Sequence, residues 1–167
     1  IAVLLGERGL GSRSDDIEQR LRGWERERGQ RADAARKLAS RWARTVGAVE
    51  QDIEPEAAGE VLALAHPERV ARRRGAAWLM ANGRAVSVPD GSSLARSEWI
   101  VVADASGSAA GARLLLGAAI EPVAVERLLA DRIEQRAVFA YDPETTGVVA
   151  ETQRRLGAII LARQAVE

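Results

Sequence analysis

The stretch Trp78-Leu-Met-Ala-Asn-Gly-Arg-Ala-Val-Ser-Val88 decides the architecture. Asn82-Gly83 stands between two short apolar-rich runs, and an Asn-Gly step so placed is the strongest short-range hairpin signal. Both residues accept the positive φ that a tight strand-to-strand turn demands. Downstream of this hairpin the hydrophobic period stays near two. Further strands are expected at 98–104, 112–119, 136–142 and 147–152, with 156–162 extending or following the last. Pro122, followed by Val125, Leu128 and Leu129, reads as one short helix interposed among them. Five or so short strands, tight turns and a single helix predict a small β-barrel of the OB type, an architecture often used to hold single strands.

Upstream of Gly75 the period is 3.6. Ser14-Asp-Asp16 supplies a cap and an acidic first turn, and Ile17, Leu21 and Trp24 recur at helical spacing up to Gly29. A second helix runs from Gln30 to Val46 with Ala35, Leu38, Ala39, Trp42 and Val46 as its apolar face and Lys37, Arg41 and Arg44 opposite. An acidic connection, 50–54, leads to Pro55 and a third helix expected to bury Val61, Leu62, Leu64 and Ala65. His66-Pro67 ends it, and a short helical turn from Pro67 is expected to carry 68–74. The expected fold is therefore α+β. A helical segment, 1–74, precedes an OB-like β-barrel with a C-terminal extension, 75–167.

Composition narrows the functions. The chain has 167 residues and a formal net charge of zero, so no global field announces a polyanion partner. Charge is local: between Arg20 and Arg44 nine basic residues face three acids. All but one of the 24 basic residues are Arg, which suits phosphate but also follows from a GC-rich codon bias. No run of apolar residues is long enough to span a membrane, so no membrane partner is expected. Absence of cysteine removes disulfides, thiolate metal sites and a Cys nucleophile, and fits a cytoplasmic protein. The opening Ile1-Ala-Val-Leu-Leu5 resembles neither a signal peptide nor a natural start, and the chain is read as a fragment.

Catalytic motifs fail one by one. A P-loop needs Gly-Lys-Ser/Thr, yet Lys37 lies between Arg36 and Leu38. Gly6-Glu-Arg-Gly-Leu-Gly11 follows an apolar helical turn rather than a strand, which makes it a helix end and turn. The lone His66 rules out two-histidine metal motifs and reads as structural. Asp15-Asp16 complements a helix dipole more simply than it forms a hydrolytic pair. No catalytic residue, metal site or cofactor is therefore assigned within the chain. The candidates for nucleic-acid binding are Arg69, Arg72 and Arg73, taken to share one helical face, with Arg84, Arg154, Arg155 and the stripe Lys37, Arg41, Arg44. Phe139 and Tyr141 alternate on one strand face, a pattern open to both core packing and base stacking.

Several segments together resemble a known family. Leu4-Leu-Gly-Glu-Arg8, Leu62-Ala-Leu-Ala-His-Pro-Glu-Arg-Val-Ala-Arg-Arg-Arg74, Ala81-Asn-Gly-Arg84, Glu98-Trp-Ile-Val-Val-Ala-Asp104 and Arg154-Arg-Leu-Gly-Ala-Ile-Ile-Leu161 are similar, in this order, to the region after the motor lobes of bacterial HrpB-type DEAH-box ATP-dependent helicases. The resemblance implies an RNA or DNA helicase whose RecA-like lobes bind Mg-ATP. Ratchet-like helices and an OB-like barrel would close over the strand. The lobes are not in this chain: it has no P-loop, and His66 follows Ala65 instead of completing Asp-Glu-Ala-His. The partners implied are single-stranded RNA or DNA and the protein's own motor lobes. The alternative is a protein-interaction module that docks on those lobes or on an external partner without touching nucleic acid.

The missing P-loop predicts that the purified chain neither binds nor hydrolyses ATP. ATP turnover above a buffer blank, abolished by a substitution within these residues, would overturn that reading.

Overall fold

The computed structural model describes residues 1–7, 9–48, 54–107, 111–142 and 146–165. The expected acidic connection 50–54 lies, except for Glu54, outside the described residues, as does Arg8. The chain opens with three helices, α1 (Ala2–Gly6), α2 (Ile17–Arg26) and α3 (Gln30–Thr45), followed by α4 (Ala58–Ala65). Five strands then form a closed barrel: β1 (Val70–Arg74), β2 (Ala77–Met80), β3 (Ala85–Ser87), β4 (Trp99–Ser106) and β5 (Ala112–Ala119). Helix α5 (Pro122–Leu128) leads to a separate antiparallel sheet of β6 (Ile133–Asp142), β7 (Gly147–Leu156) and β8 (Ile159–Ala165). The fold class is thus α+β with helices ahead of an OB-like barrel, as the change of period implies.

The barrel order β1-β2-β3-β5-β4 closes through one parallel pairing, β3 with β5, and through β1, which pairs antiparallel with both β2 and β4. The hairpin forms where Asn82-Gly83 places it. Met80 N donates to Arg84 O at 2.8 Å, Gly83 N donates to Met80 O at 2.9 Å, and Gly83 takes φ +88°. That is a three-residue loop with glycine in the left-handed position.

Alternation along the barrel strands generates two cores. Ala71, Trp78, Met80, Val86, Ile100, Val102, Ala112 and Leu114 fill the barrel. Their neighbours Val70, Trp99, Val101, Leu116 and Ala118 point outward and pack with Leu4, Ile17, Leu21, Trp24 and Leu62 of the helices and with Leu156 and Ile159 of the second sheet.

Three expectations are corrected here. Residues 70–74 are a strand and not a helical turn, because barrel closure needs them between β2 and β4; only Pro67–Arg69 form a 3-10 turn. On α4 the buried side is Ala58, Gly59, Leu62 and Ala63, while Val61 and Leu64 face solvent. The small residues turn inward because the helix lies against the end of β5. On α3 only Ala32 and Ala35 are buried, Leu38 and Ala39 pack partly against the core, and Trp42 and Val46 run past it at 46% and 80% exposure.

Short side chains set how the helices seat. Asp16 caps α2 by accepting from Glu18 N at 2.9 Å, and its other oxygen accepts from Ser93 Oγ at 2.7 Å. Ser92 Oγ donates to Asp15 Oδ1 at 2.8 Å, and Gly117 N of β5 donates to Asp15 O at 2.9 Å. The two acids therefore stitch α2 to the barrel, as the helix-terminus reading of Asp15-Asp16 anticipates. Gly11 has φ +79°, and a Cβ on it would lie 1.9 Å from Arg20 O, so the turn before α2 rests directly on that helix's backbone.

Gly59 gives the sharpest test of this seating, since a Cβ there would meet Ala119 O at 2.0 Å. Gly59→Ala is expected to push α4 off the barrel and to destabilise the chain by about 1–3 kcal/mol, despite the higher helix propensity of alanine. Chemical denaturation showing Gly59→Ala as stable as the parent would contradict this packing.

Candidate nucleic-acid interface

The arginines singled out by sequence are mostly engaged within the fold. Arg69 donates to Ala103 O at 2.8 Å and stands 3.5 Å from Glu68. Arg72 pairs with Glu98 at 2.9 Å, donates to Ile160 O at 3.2 Å and lies over the Trp99 ring at 5.4 Å. Arg73 donates to Ala95 O at 3.2 Å and lies over Trp78 at 5.0 Å. These contacts follow from the strand. Arg72 points outward beside Leu79 and Trp99, whereas Arg73 lies opposite Trp78, so the two do not share a face. The expected common face of Arg69, Arg72 and Arg73 is thus not formed.

Arg154 and Arg155, expected on the barrel, sit instead on β7, the central strand of the second sheet. Arg154 reaches Glu126 of α5 at 3.2 Å, and Arg155 donates to the carbonyls of Gly157 and Ala158 in the β7–β8 turn. The basic run 20–44 is also dismantled. Arg20 is buried and donates to Leu10 O at 3.2 Å, Glu7 O at 2.5 Å and Leu4 O at 3.3 Å, which ties α1 and its following turn to α2. Burial, with a smaller contribution from Arg31, lowers the Arg20 pKa from its ordinary value. Arg22 bridges Glu18 and Glu56, and Arg36 closes the end of α2 through Trp24 O and Glu27 O at 2.7 and 2.6 Å. Nothing in the sequence separates these arginines from solvated ones, since their partners are mainly backbone carbonyls.

What remains outward falls into two places. On α3, the side chains of Lys37 and Arg41 are exposed with no hydrogen-bond or ion-pair partner among the described residues, and that of Arg44 reaches only Ser40 O of its own helix at 3.4 Å. Trp42, 46% exposed, projects from the other side of the helix. Arg84, next to the β2–β3 turn, is likewise exposed.

The second place is the far end of the β6–β7 ribbon. Phe139 and Tyr141 share one face and are 72% and 65% exposed, so they are not core residues. Among the described residues β8 pairs with β7 as far as Glu151, and β6 and β7 pair on beyond it as two strands. The outer face of β2 and β3, where OB barrels commonly take ligands, carries Ala77, Leu79, Ala85 and Ser87. It offers no aromatic platform.

Among the described residues no group of three or more His, Cys, Asp or Glu could hold a metal ion, and no helix is long and apolar enough to cross a membrane. His66 closes α4 through its backbone, donating to Leu62 O at 2.8 Å, and its ring lies 3.8 Å from Glu68.

Residues 132–166 match a family model, the connector region of the ATP-dependent RNA helicase HrpB. The match coincides with the sheet β6–β8. No curated protein matches the chain. Among solved structures, the Escherichia coli DExH-box NTPase HrpB superposes with a TM-score of 0.80 at 20% identity, covering 99% of this chain and 20% of that one. A second, the E. coli DEAH/RHA helicase HrpB, gives a TM-score of 0.64 at 23% identity over 83% of this chain and 17% of that one. The chain thus spans about a fifth of the length of these relatives. It is similar to part of an HrpB-type helicase in sequence over residues 132–166 and in fold over nearly its whole length, as the resemblance carried by its motifs implies.

Proposed function

We propose that this chain is a non-catalytic part of an ATP-dependent helicase acting on RNA or DNA, which helps hold single-stranded nucleic acid and couples it to RecA-like ATPase lobes outside these residues. The observation that carries the reading is the OB-ordered barrel behind a set of helices, in the fold of about a fifth of HrpB. Grip falls to the exposed stripe of α3, where Lys37, Arg41 and Arg44 supply positive charge for phosphates. Phe139 and Tyr141 add a stacking platform. Residues two apart on a strand stand about 7 Å from each other, which suits one base per ring in an extended single strand and reads no sequence.

A second reading, docking on the motor lobes without nucleic acid, is favoured by one observation. Val61 and Leu64 of α4 and Val123 of α5 are 47%, 60% and 73% exposed on helices joined by the Arg127–Glu60 ion pair at 2.7 Å. Exposed aliphatics on adjoining helices suit a protein partner better than a phosphate backbone.

Fluorescence anisotropy with a labelled oligouridylate over a range of salt separates the two. If the α3 stripe contacts phosphates, the combined change of Lys37, Arg41 and Arg44 to Ala lowers the salt slope by about 2, at roughly 0.7 per lost contact. Changing Arg69, Arg72 and Arg73 to Ala should instead lower the thermal midpoint and leave the slope intact, because those side chains hold the barrel. Equal slopes for the parent and the α3 variant would remove α3 from the binding surface and leave the docking reading in its place.

A further inference from the structure

The second sheet leans on the barrel along one line, and beside that line runs a groove of about 470 Å³ lined by Arg72, Arg73 and Arg74 of β1, Leu79 of β2, Glu98 and the stretch 158–163. One wall of the groove is β8, the edge strand of its sheet. At the base of this wall Ile160 O is satisfied by Arg72 Nη1. Beyond it, among the described residues, no backbone hydrogen bond reaches 161–165 from the barrel side. Alternate residues of this edge therefore turn unpaired main-chain groups away from β7, in a groove whose lining includes Leu79 and Leu161.

Its charge is one-sided. Arg72, Arg73, Arg74 and Arg163 line the groove with a single acidic residue, Glu98, which is already paired with Arg72. Arg163 stands 3.6 Å from Glu151, and Arg73 is held by Ala95 O and the Trp78 ring. Arg74 alone is exposed with no partner among the described residues.

We propose that this groove is a strand-addition site, in which an extended acidic peptide segment pairs with the free edge of β8 and sets a carboxylate against Arg74. An extended peptide matches the repeat of donors and acceptors along a strand edge, whereas a phosphodiester backbone has no donors to offer it. A nucleic-acid strand would also call for several unengaged cations along its path, and the groove offers one. The inference goes beyond the helicase reading and stands or falls without it, since neither β8 nor Arg74 belongs to the α3 stripe.

The test is anisotropy of the 167-residue chain with a fluorescein-labelled short peptide of alternating threonine and glutamate, with the same peptide N-methylated along its backbone, and with an oligouridylate of equal net charge. The plain peptide should bind saturably. Methylation, which keeps the charge and removes the main-chain donors, should weaken it at least about tenfold, the equivalent of one or two lost hydrogen bonds. Arg74→Glu should weaken the plain peptide by a similar factor with no change in thermal midpoint. Failure of the parent chain to bind the plain peptide, equal binding of the methylated one, or displacement of the peptide by the oligouridylate at lower concentration would each overturn the proposal. Because the methylated probe is read on the parent chain, the outcome does not depend on how the variant folds.

Discussion

Closure of the barrel is the constraint from which the rest of the structure follows. A sheet of five short strands leaves two open edges unless its first strand is shared, and here β1 hydrogen-bonds to β2 on one side and to β4 on the other. This double duty forces Val70–Arg74 to be extended. It also splits the chain's apolar residues in two, because each barrel strand must turn every second side chain inward. The inward set makes the barrel core, and the outward set from the same strands makes the floor on which the helices and the second sheet rest.

Much of this was legible in the sequence because it rests on local rules. The Asn82-Gly83 turn, the Asp16 cap, the glycine breaks at Gly29 and Gly47 and the short helix at Pro122 are all decided within a few residues. Failures came where a distant partner decides. Val70-Ala-Arg-Arg-Arg74 has no alternation of its own, and only β2 and β4 make it a strand. On α4 the more apolar side, Val61 and Leu64, lost to Ala58 and Gly59, since close seating on Ala119 needs small residues more than greasy ones. A count of strands from 75 onward likewise could not tell that the last three leave the barrel and pair among themselves.

The candidate site was legible as a list and not as an arrangement. Sequence identified the arginines, but their planar, multi-donor head makes them as useful for binding stray backbone carbonyls as for binding phosphate. Arg20 serves three carbonyls and Arg36 two, and Arg72 joins the two sheets; Arg20 and Arg72 do so from donors on separate nitrogens, whereas all three donors of a lysine sit on one atom. The Arg-rich composition therefore has a structural use that no local charge count reveals. The stripe on α3 stands apart because its helix outruns the core that would otherwise have covered it.

One feature of the second sheet has a mechanical reach. It joins the barrel near the β7–β8 turn, where Ala158 N donates to Ala81 O at 2.8 Å and Gly157 packs against the same carbonyl. Leu156 and Ile159 bury themselves at that same end. From there the β6–β7 ribbon runs for ten residues, roughly 30 Å, to Asp142 and Gly147. Such a ribbon is a lever with a short fulcrum. A tilt of about ten degrees at the turn carries Tyr141 through roughly 5 Å, about the spacing between neighbouring strands, so a small adjustment where the sheet meets the barrel becomes a large displacement of the aromatic pair.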